Sequence, residues 1–259
     1  MTNSPLSDTM CSARGVESGA SPGFSQGTYS KYLLGLRPTY EALLSSNVCN
    51  VGAGAKVLTA TELGEIAFRH GQIKKRNNAI VALISGALPG VLLTFYFPSN
   101  WQRWFVGMII GLLWGNAFEY AYHRWLLHRP RSSLGKGHLE HHANIGTPEE
   151  PEHVSLGKSP LHIAILFAGN GIVMLLVDFL LSLRITAGIF IGWTVYLITA
   201  EEIHWRIHMK GWLPPGIRFA RAYHMAHHNI PNIRYNVFLP LFDLLFGNTA
   251  IRTRKQVIV

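Results

Sequence analysis

Histidine is the residue whose number and spacing stand out in this chain of 259 residues. Thirteen histidines are present, and most of them fall into four motifs, in chain order HRWLLH, HLEHH, HWRIH and HMAHH. The motif residues are His123, His128, His138, His141, His142, His204, His208, His224, His227 and His228. Neutral imidazole is the commonest metal ligand in proteins and binds iron and zinc alike. This many imidazoles exceed the coordination number of one ion and suit two, so the motifs predict a pair of metal ions.

The spacing within each motif indicates which imidazoles can share a helix face. Residues i, i+3 and i+4 lie on one face, so HLEHH and HMAHH each predict three imidazoles together, and HWRIH predicts two. The five-residue step of HRWLLH turns an α-helix by about 140° beyond a full turn. His128 must therefore lie at a frayed helix end or reach a different metal from His123. We expect His70, His153 and His162, outside the motifs, to be ordinary polar residues.

Several other classes of protein explain these motifs less well than a pair of metal ions does. Without a ligand, so many basic side chains packed together would repel one another when protonated. A zinc hydrolase needs about three protein ligands and an open water position, which leaves most of the imidazoles without a role. A bis-histidine haem protein would pair single histidines across helices. A membrane metal transporter, which we keep as a less favoured alternative, would place its ligands inside apolar segments, whereas these motifs flank such segments.

Four apolar stretches must position the motifs. They cover approximately residues 78–97, 104–122, 160–181 and 185–199, and each is near the ~20 residues that a helix needs to cross ~30 Å of hydrocarbon. Charged residues make up only 14% of the chain. The sequence therefore predicts an all-α integral membrane protein with about four transmembrane helices in two hairpins and a cytoplasmic helical cap that carries the histidines.

The distribution of basic residues predicts the orientation. Lys74, Lys75 and Arg76 precede the first stretch, and more Lys and Arg residues lie between the second and third stretches and after the fourth. The two other connections carry one basic residue each, Arg103 and Arg184. By the positive-inside rule, both termini and the central segment face the cytoplasm, in a bacterial inner membrane or the endoplasmic reticulum of a eukaryote. The formal charge of +9 suits an anionic membrane surface, and the apolar stretches favour that over nucleic acid.

The chain divides into two predicted parts. Residues 1–70 form an N-terminal segment, which we expect to be disordered to about residue 30 because it is rich in Ser, Gly and Thr. Peripheral helices are expected from there to residue 70. Residues 71–259 form the membrane domain.

The order of the motifs, HX4H, HX2HH, HX3H and HX2HH, resembles the fatty acid hydroxylase superfamily, together with the phrase YHMAHHNIPNIRYNVFLPLFDLLFGN at 223–248. That superfamily includes sterol desaturases and sphingolipid, fatty acid and carotenoid hydroxylases, and the resemblance covers roughly residues 104–248. It implies a non-haem centre of two iron ions held by the motif histidines, O2 as co-substrate and a membrane lipid as substrate. Zinc could replace iron in purified protein, because it binds such sites more tightly than Fe(II).

Oxidation of one C–H bond by O2 also requires two external electrons. The sequence contains no flavin or haem motif, so we expect a separate donor, a ferredoxin or a cytochrome b5-like protein, on the basic cytoplasmic face. Glu119 and Glu201 precede His123 and His204 by about one helical turn, and Glu140 lies inside HLEHH; each could accept a hydrogen bond from an imidazole. Hydroxylation is the favoured reaction, and lipid desaturation or aldehyde deformylation on the same scaffold is the alternative.

Overall fold

A computed structural model describes residues 58–129, 132–157 and 159–249 of the chain, and these residues contain helices and no β-strand. The helices are α1 (Ala60–Ala82), α2 (Leu88–Tyr96), α3 (Trp101–Tyr122), α4 (Ser133–Ala143), α5 (Glu150–Val154), α6 (Leu161–Leu181), α7 (Thr186–His208), α8 (Phe219–Asn229) and α9 (Leu241–Leu245). Two π-helical segments, Leu83–Ala87 and His123–Leu127, and a 3₁₀ turn, Pro215–Ile217, complete the set. The prediction of an all-α protein is confirmed for this part of the chain.

Helices α1 and α2 form one continuous helix of 37 residues from Ala60 to Tyr96. Residues 60–70, which we expected in a separate peripheral helix, are its first turns, and residues 1–57 of the predicted N-terminal segment lie outside the described residues. The π-helical segment ends two residues before Pro89, and the Leu88 N–H donates to the Leu83 carbonyl. Proline has no N–H and its ring crowds the preceding turn, so a widened turn lets the helix continue past it.

Two helices are long and apolar enough to cross a membrane, namely the continuous α1–α2 helix and α6. At 1.5 Å per residue, the 21 residues of α6 span about 32 Å. Phe179 and Leu180, near its end, are 82% and 76% exposed. Many other large apolar side chains of these two helices are also exposed. Such exposure is unfavourable in water and favourable in lipid.

Helices α3 and α7 have the length to cross a membrane, with 22 and 23 residues. They contain several glycines, and acidic residues near the end that carries their histidines. The glycines and acidic residues make α3 and α7 less apolar than α1–α2 and α6. The four-helix topology, the cytoplasmic cap and the orientation therefore stay predictions.

Glycines bring α3 and α7 into backbone contact. A Cβ atom at Gly107 would lie 2.1 Å from the Ile185 carbonyl oxygen, and one at Gly111 would lie 2.3 Å from that of Ile189. From the other side, a Cβ at Gly192 would lie 2.2 Å from the Met108 carbonyl oxygen. Small residues four apart are the usual means by which two membrane helices approach closely. This contact fixes the position of the His123 end of α3 relative to the histidines of α7.

Side-chain caps set where the histidine-bearing helices begin. The Ser132 hydroxyl accepts the Gly135 N–H at 2.9 Å at the start of α4, as N-cap residues do. The Asp178 carboxylate accepts the N–H groups of Ile185 and Thr186, both at 3.2 Å, at the start of α7. The motif histidines then lie where the end of α3, helix α4, the end of α7 and helix α8 meet.

Candidate metal centre

The motif histidines lie in two clusters of five. The first cluster consists of His123, His128, His138, His142 and His227, and the second of His141, His204, His208, His224 and His228. In each cluster one nitrogen of every ring lies within 4.8 Å of the others. Two nitrogens on opposite sides of one ion, each at about 2.1 Å, are about 4.2 Å apart. Each cluster therefore has the dimensions to hold one metal ion.

The HLEHH and HMAHH motifs each contribute to both clusters. His138 and His142 belong to the first cluster and His141 to the second; His224 and His228 belong to the second and His227 to the first. Within each motif the i and i+4 residues stay together, and the i+3 residue points to the other cluster. Positions i+3 and i+4 differ by about 100° around the helix. We expected the three imidazoles of each motif to lie together, and they instead straddle the two clusters.

The π-helical segment explains how HRWLLH can supply two rings to one cluster. His123 begins the segment and His128 directly follows it, and their ring centroids lie 5.1 Å apart with the planes at 16°. A π-helix is bonded from i to i+5, which aligns residues five apart. The two rings therefore belong to one cluster, and the expectation of a frayed end or a different metal is corrected. The five-residue spacing was the available signal.

Backbone carbonyls fix the tautomer of two rings in the first cluster. The Nδ1–H groups of His123 and His227 donate to the Tyr235 and Ile233 carbonyl oxygens, the latter at 2.7 Å. A carbonyl oxygen can only accept, so the proton is on Nδ1 and Nε2 carries the lone pair. In the second cluster His208 Nδ1 donates to Glu150 Oε1 at 2.9 Å. Partners of this kind orient metal-binding imidazoles and raise their basicity.

The Nε2 atoms of neighbouring rings face one another at short distances. In the first cluster His142 and His227 approach to 3.2 Å, and in the second His208 and His228 also approach to 3.2 Å. Both nitrogens of His141 are buried without a hydrogen-bond partner. A buried nitrogen without a partner costs about 1–3 kcal/mol. A cation at the centre of each cluster would bind the inward-facing lone pairs and remove this cost, so the residues fit a metal.

Burial keeps the imidazoles of His128, His142 and His227 neutral. It lowers the pKa of His128 to about 4 and that of His227 to about 3. Burial, followed by the charges of neighbouring histidines, lowers the pKa of His142 to about 2. At neutral pH these three rings are therefore in the uncharged form that binds metals.

The predicted carboxylate partners have other contacts. Glu119 accepts hydrogen bonds from the Tyr196 hydroxyl at 2.7 Å and the Asn236 amide at 2.9 Å. Glu201 accepts from the Asn78 amide at 2.7 Å. No hydrogen bond from either to a histidine is found in the part of the chain that the structure describes. The carboxylate that does hold a motif imidazole is Glu150, which sequence reasoning missed because it lies 58 positions from His208.

A cavity of about 640 Å³ borders both clusters. Its walls include rings of the first and second clusters, the side chains of Glu119 and Glu201, and apolar residues from α3, α6 and α7, which are Phe118, Leu166, Trp193 and Leu197. Gly115, also in the wall, precedes His123 by eight residues, so the cavity extends about 12 Å along α3 from the first cluster. This volume lies in the range of small-molecule sites.

The three remaining histidines lie outside both clusters, as expected. His162 is hydrogen-bonded to the Tyr122 hydroxyl. His70 lies on α1 and approaches Glu152 at 3.7 Å, with both side chains about half exposed.

Comparisons with known proteins add to this geometry. The model of the fatty acid hydroxylase family matches residues 108–248, which is more than half of the chain and includes every motif histidine. Among solved structures, one described as full-length scs7p with only the hydroxylase domain visible has 21% identity and a TM-score of 0.47. The match covers 71% of this chain and 62% of that one, so this chain spans less than two thirds of its length. No curated protein matches.

Proposed function

This chain belongs to the fatty acid hydroxylase family, and we propose that it is an oxidoreductase that hydroxylates a membrane lipid with O2. The substrate would be a fatty acyl, sterol, sphingolipid or carotenoid group in lipid biosynthesis. One observation carries the proposal. Two clusters of five imidazoles border the same cavity, and apolar side chains line the rest of that cavity.

Each cluster would hold one iron ion. Zinc in proteins is almost always bound by four ligands, and five imidazoles exceed that number, so iron suits these clusters better. When bound, the two ions supply the activation of O2 that the oxidation of an unactivated C–H bond requires. Zinc could still occupy the clusters in overexpressed protein.

The residues of the chain position the imidazoles and the substrate. The Tyr235 and Ile233 carbonyls and the Glu150 carboxylate hold the Nδ1–H groups, which leaves Nε2 directed to the centre of each cluster. Phe118 and Trp193 would contact the lipid and exclude water. Burial of a lipid chain contributes about 0.8 kcal/mol per CH2 group.

The balanced reaction takes one C–H bond, O2, two electrons and two protons to one C–OH group and one water. The electrons would come from a ferredoxin or a cytochrome b5-like donor on the basic cytoplasmic face.

Four helices would cross the membrane, with both termini and the central segment, 129–158, on the cytoplasmic side. Reporter tags at these places should all read cytoplasmic, and tags near Ser99 or Ser182 should read the opposite side.

The position of the clusters favours an enzyme over a metal transporter. The histidines gather beside one cavity and do not form a row along the helices, as a permeation path would require. Desaturation differs from hydroxylation only in the placement of the reacting carbon, and the mass of the product separates the two.

The experiment is lipid mass spectrometry on cells that express the chain or its His141→Ala variant. His141 is fully buried without a hydrogen-bond partner, and it lies in the wall of the cavity. We expect a lipid heavier by one oxygen atom in cells with the wild type and in cells with a His162→Ala control, because His162 lies outside both clusters. This lipid should be absent with His141→Ala. A product lighter by two hydrogens would indicate desaturation, and identical lipids in all cells would refute a lipid oxidoreductase.

A further inference from the structure

One segment of the chain, residues 230–249, orients two rings of the first cluster. Its Ile233 and Tyr235 carbonyls accept the Nδ1–H groups of His227 and His123. The second cluster is oriented from a different place, since His208 donates to Glu150 and His204 is hydrogen-bonded to the Val154 backbone. A change in segment 230–249 would therefore reach the first cluster directly and the second only indirectly.

The segment is held in place by Asp243, which is 0% exposed. Its Oδ1 accepts the Tyr235 N–H at 2.9 Å, and its Oδ2 accepts the Asn236 N–H at 2.8 Å. Tyr235 is thus bonded on both sides, with its N–H to Asp243 and its carbonyl to His123. A shift of the carboxylate would be passed to the imidazole through one residue.

Asp243 also ties the segment to the helix that carries three of the motif histidines. Its Oδ2 accepts the Tyr223 hydroxyl at 2.8 Å, and Tyr223 precedes His227 by about one turn of α8. Three donors therefore share two carboxylate oxygens. An amide offers one oxygen, and its NH2 group would face a backbone N–H, so asparagine cannot replace these bonds.

We propose that Asp243 is a positioning residue for the metal ion of the first cluster. It acts through the Tyr235 and Ile233 carbonyls, which hold the Nε2 atoms of His123 and His227 toward that ion. The proposal rests on the proposed function, because it requires that the first cluster binds metal.

The chain contains a matched control. Asp178 accepts the Ile185 N–H on one oxygen, and the Thr186 N–H and hydroxyl on the other, which is the same pattern of two backbone donors and one hydroxyl. It lies at the far end of α6, 16 residues or about 24 Å of helix from His162. Asp178→Asn should weaken the fold in a similar way without touching either cluster.

The experiment uses the full chain in lipid nanodiscs, loaded with iron, and follows iron per chain and the rate of iron release to a ferrous chelator. Wild type and Asp178→Asn should hold two iron ions with the same release rates. In Asp243→Asn we expect one equivalent to be released about 10-fold faster, the lower end of the 10–100-fold effect of losing a ligand's direct partner, and the other at the wild-type rate. Tyr223→Phe, which removes one hydrogen bond, should shift the same equivalent by less.

The outcomes separate the two proposals. Fewer than two iron ions in the wild type would refute the proposed function itself. Two ions in the wild type and unchanged release from Asp243→Asn would refute only the positioning role. Equal acceleration of both equivalents, matched by Asp178→Asn, would also refute it, because that is the effect of a general loss of stability. If Asp243→Asn does not insert in the membrane, Tyr223→Phe decides, since selective faster release supports the role and unchanged release overturns it.

Discussion

Replacement of Glu150 should weaken metal binding in the second cluster. Glu150 lies in the short helix α5, its side chain is 14% exposed, and it accepts a hydrogen bond from His208, whose side chain is 0% exposed. In Glu150→Ala the His208 Nδ1–H loses its acceptor inside the protein. A ring free of metal can turn to another partner, but a ring bound through Nε2 cannot, so the cost falls on the metal-bound state.

The magnitude follows from this geometry. A buried donor without a partner costs about 1–3 kcal/mol, and about 1.4 kcal/mol is a factor of ten in affinity. The affinity of one of the two metal sites should therefore fall by about 5–150-fold. Glu150→Gln keeps an acceptor oxygen and loses the charge, and neutral hydrogen bonds have roughly half the strength of charge-assisted ones. Its loss of affinity should be intermediate.

The assay is a competitive titration of zinc between the purified protein and a chromophoric chelator, fitted with two sites. Glu152→Ala is the control, because Glu152 lies on the same helix but pairs with His70 at 3.7 Å on a half-exposed surface, where such pairs contribute little. We expect two wild-type affinities in the control and one weakened affinity in Glu150→Ala. An affinity within twofold of wild type at both sites of Glu150→Ala would refute the reasoning.

Further predictions concern packing, ligands and metal removal. Gly111→Ala should lower the midpoint temperature of unfolding, because the added Cβ would lie 2.3 Å from the Ile189 carbonyl oxygen. Gly169→Ala is the control and should not lower it, because nothing lies within 4 Å of a Cβ there. Equal midpoints in the two variants would contradict the close contact of α3 and α7. The double variant His227→Ala and His228→Ala removes one ligand from each cluster and should lose metal and lipid oxidation while still inserting in the membrane. Retention of two metals would refute the ligand assignment. Removal of metal with a chelator should lower the unfolding midpoint, and added iron should restore it, because a ligand of the folded state stabilises it; an unchanged midpoint would argue against metal in the folded protein.

Motif spacing and hydropathy carry much of the information about the helices. The apolar stretches near 78–97 and 160–181 are helices that can cross a membrane, because their length and apolar composition are local properties. The histidine motifs identify a group of rings that the structure brings together. The step of five residues in HRWLLH even contains the signal for a π-helical turn, although α-helical geometry alone predicts that its two rings point apart.

The division of the rings between two clusters depends on tertiary structure. Adjacent residues on a helix such as His141 and His142 point about 100° apart, and only the approach of α7 and α8 decides which cluster each one joins. The same holds for hydrogen-bond partners. Glu119 and Glu201 are close to histidines in sequence, but their carboxylates are bonded to Tyr196, Asn236 and Asn78.

By itself, the sequence determined the residue types for a pair of candidate metal sites, the helical class and the apolar stretches, since each depends on composition and spacing over a few turns. Only the tertiary structure decided that Glu150 and the Tyr235 carbonyl hold imidazoles, at separations of 58 and 112 positions. The reason is physical. A hydrogen bond acts over about 3 Å, and which groups come that close across the chain is set by helix packing, which leaves no periodic trace in the sequence.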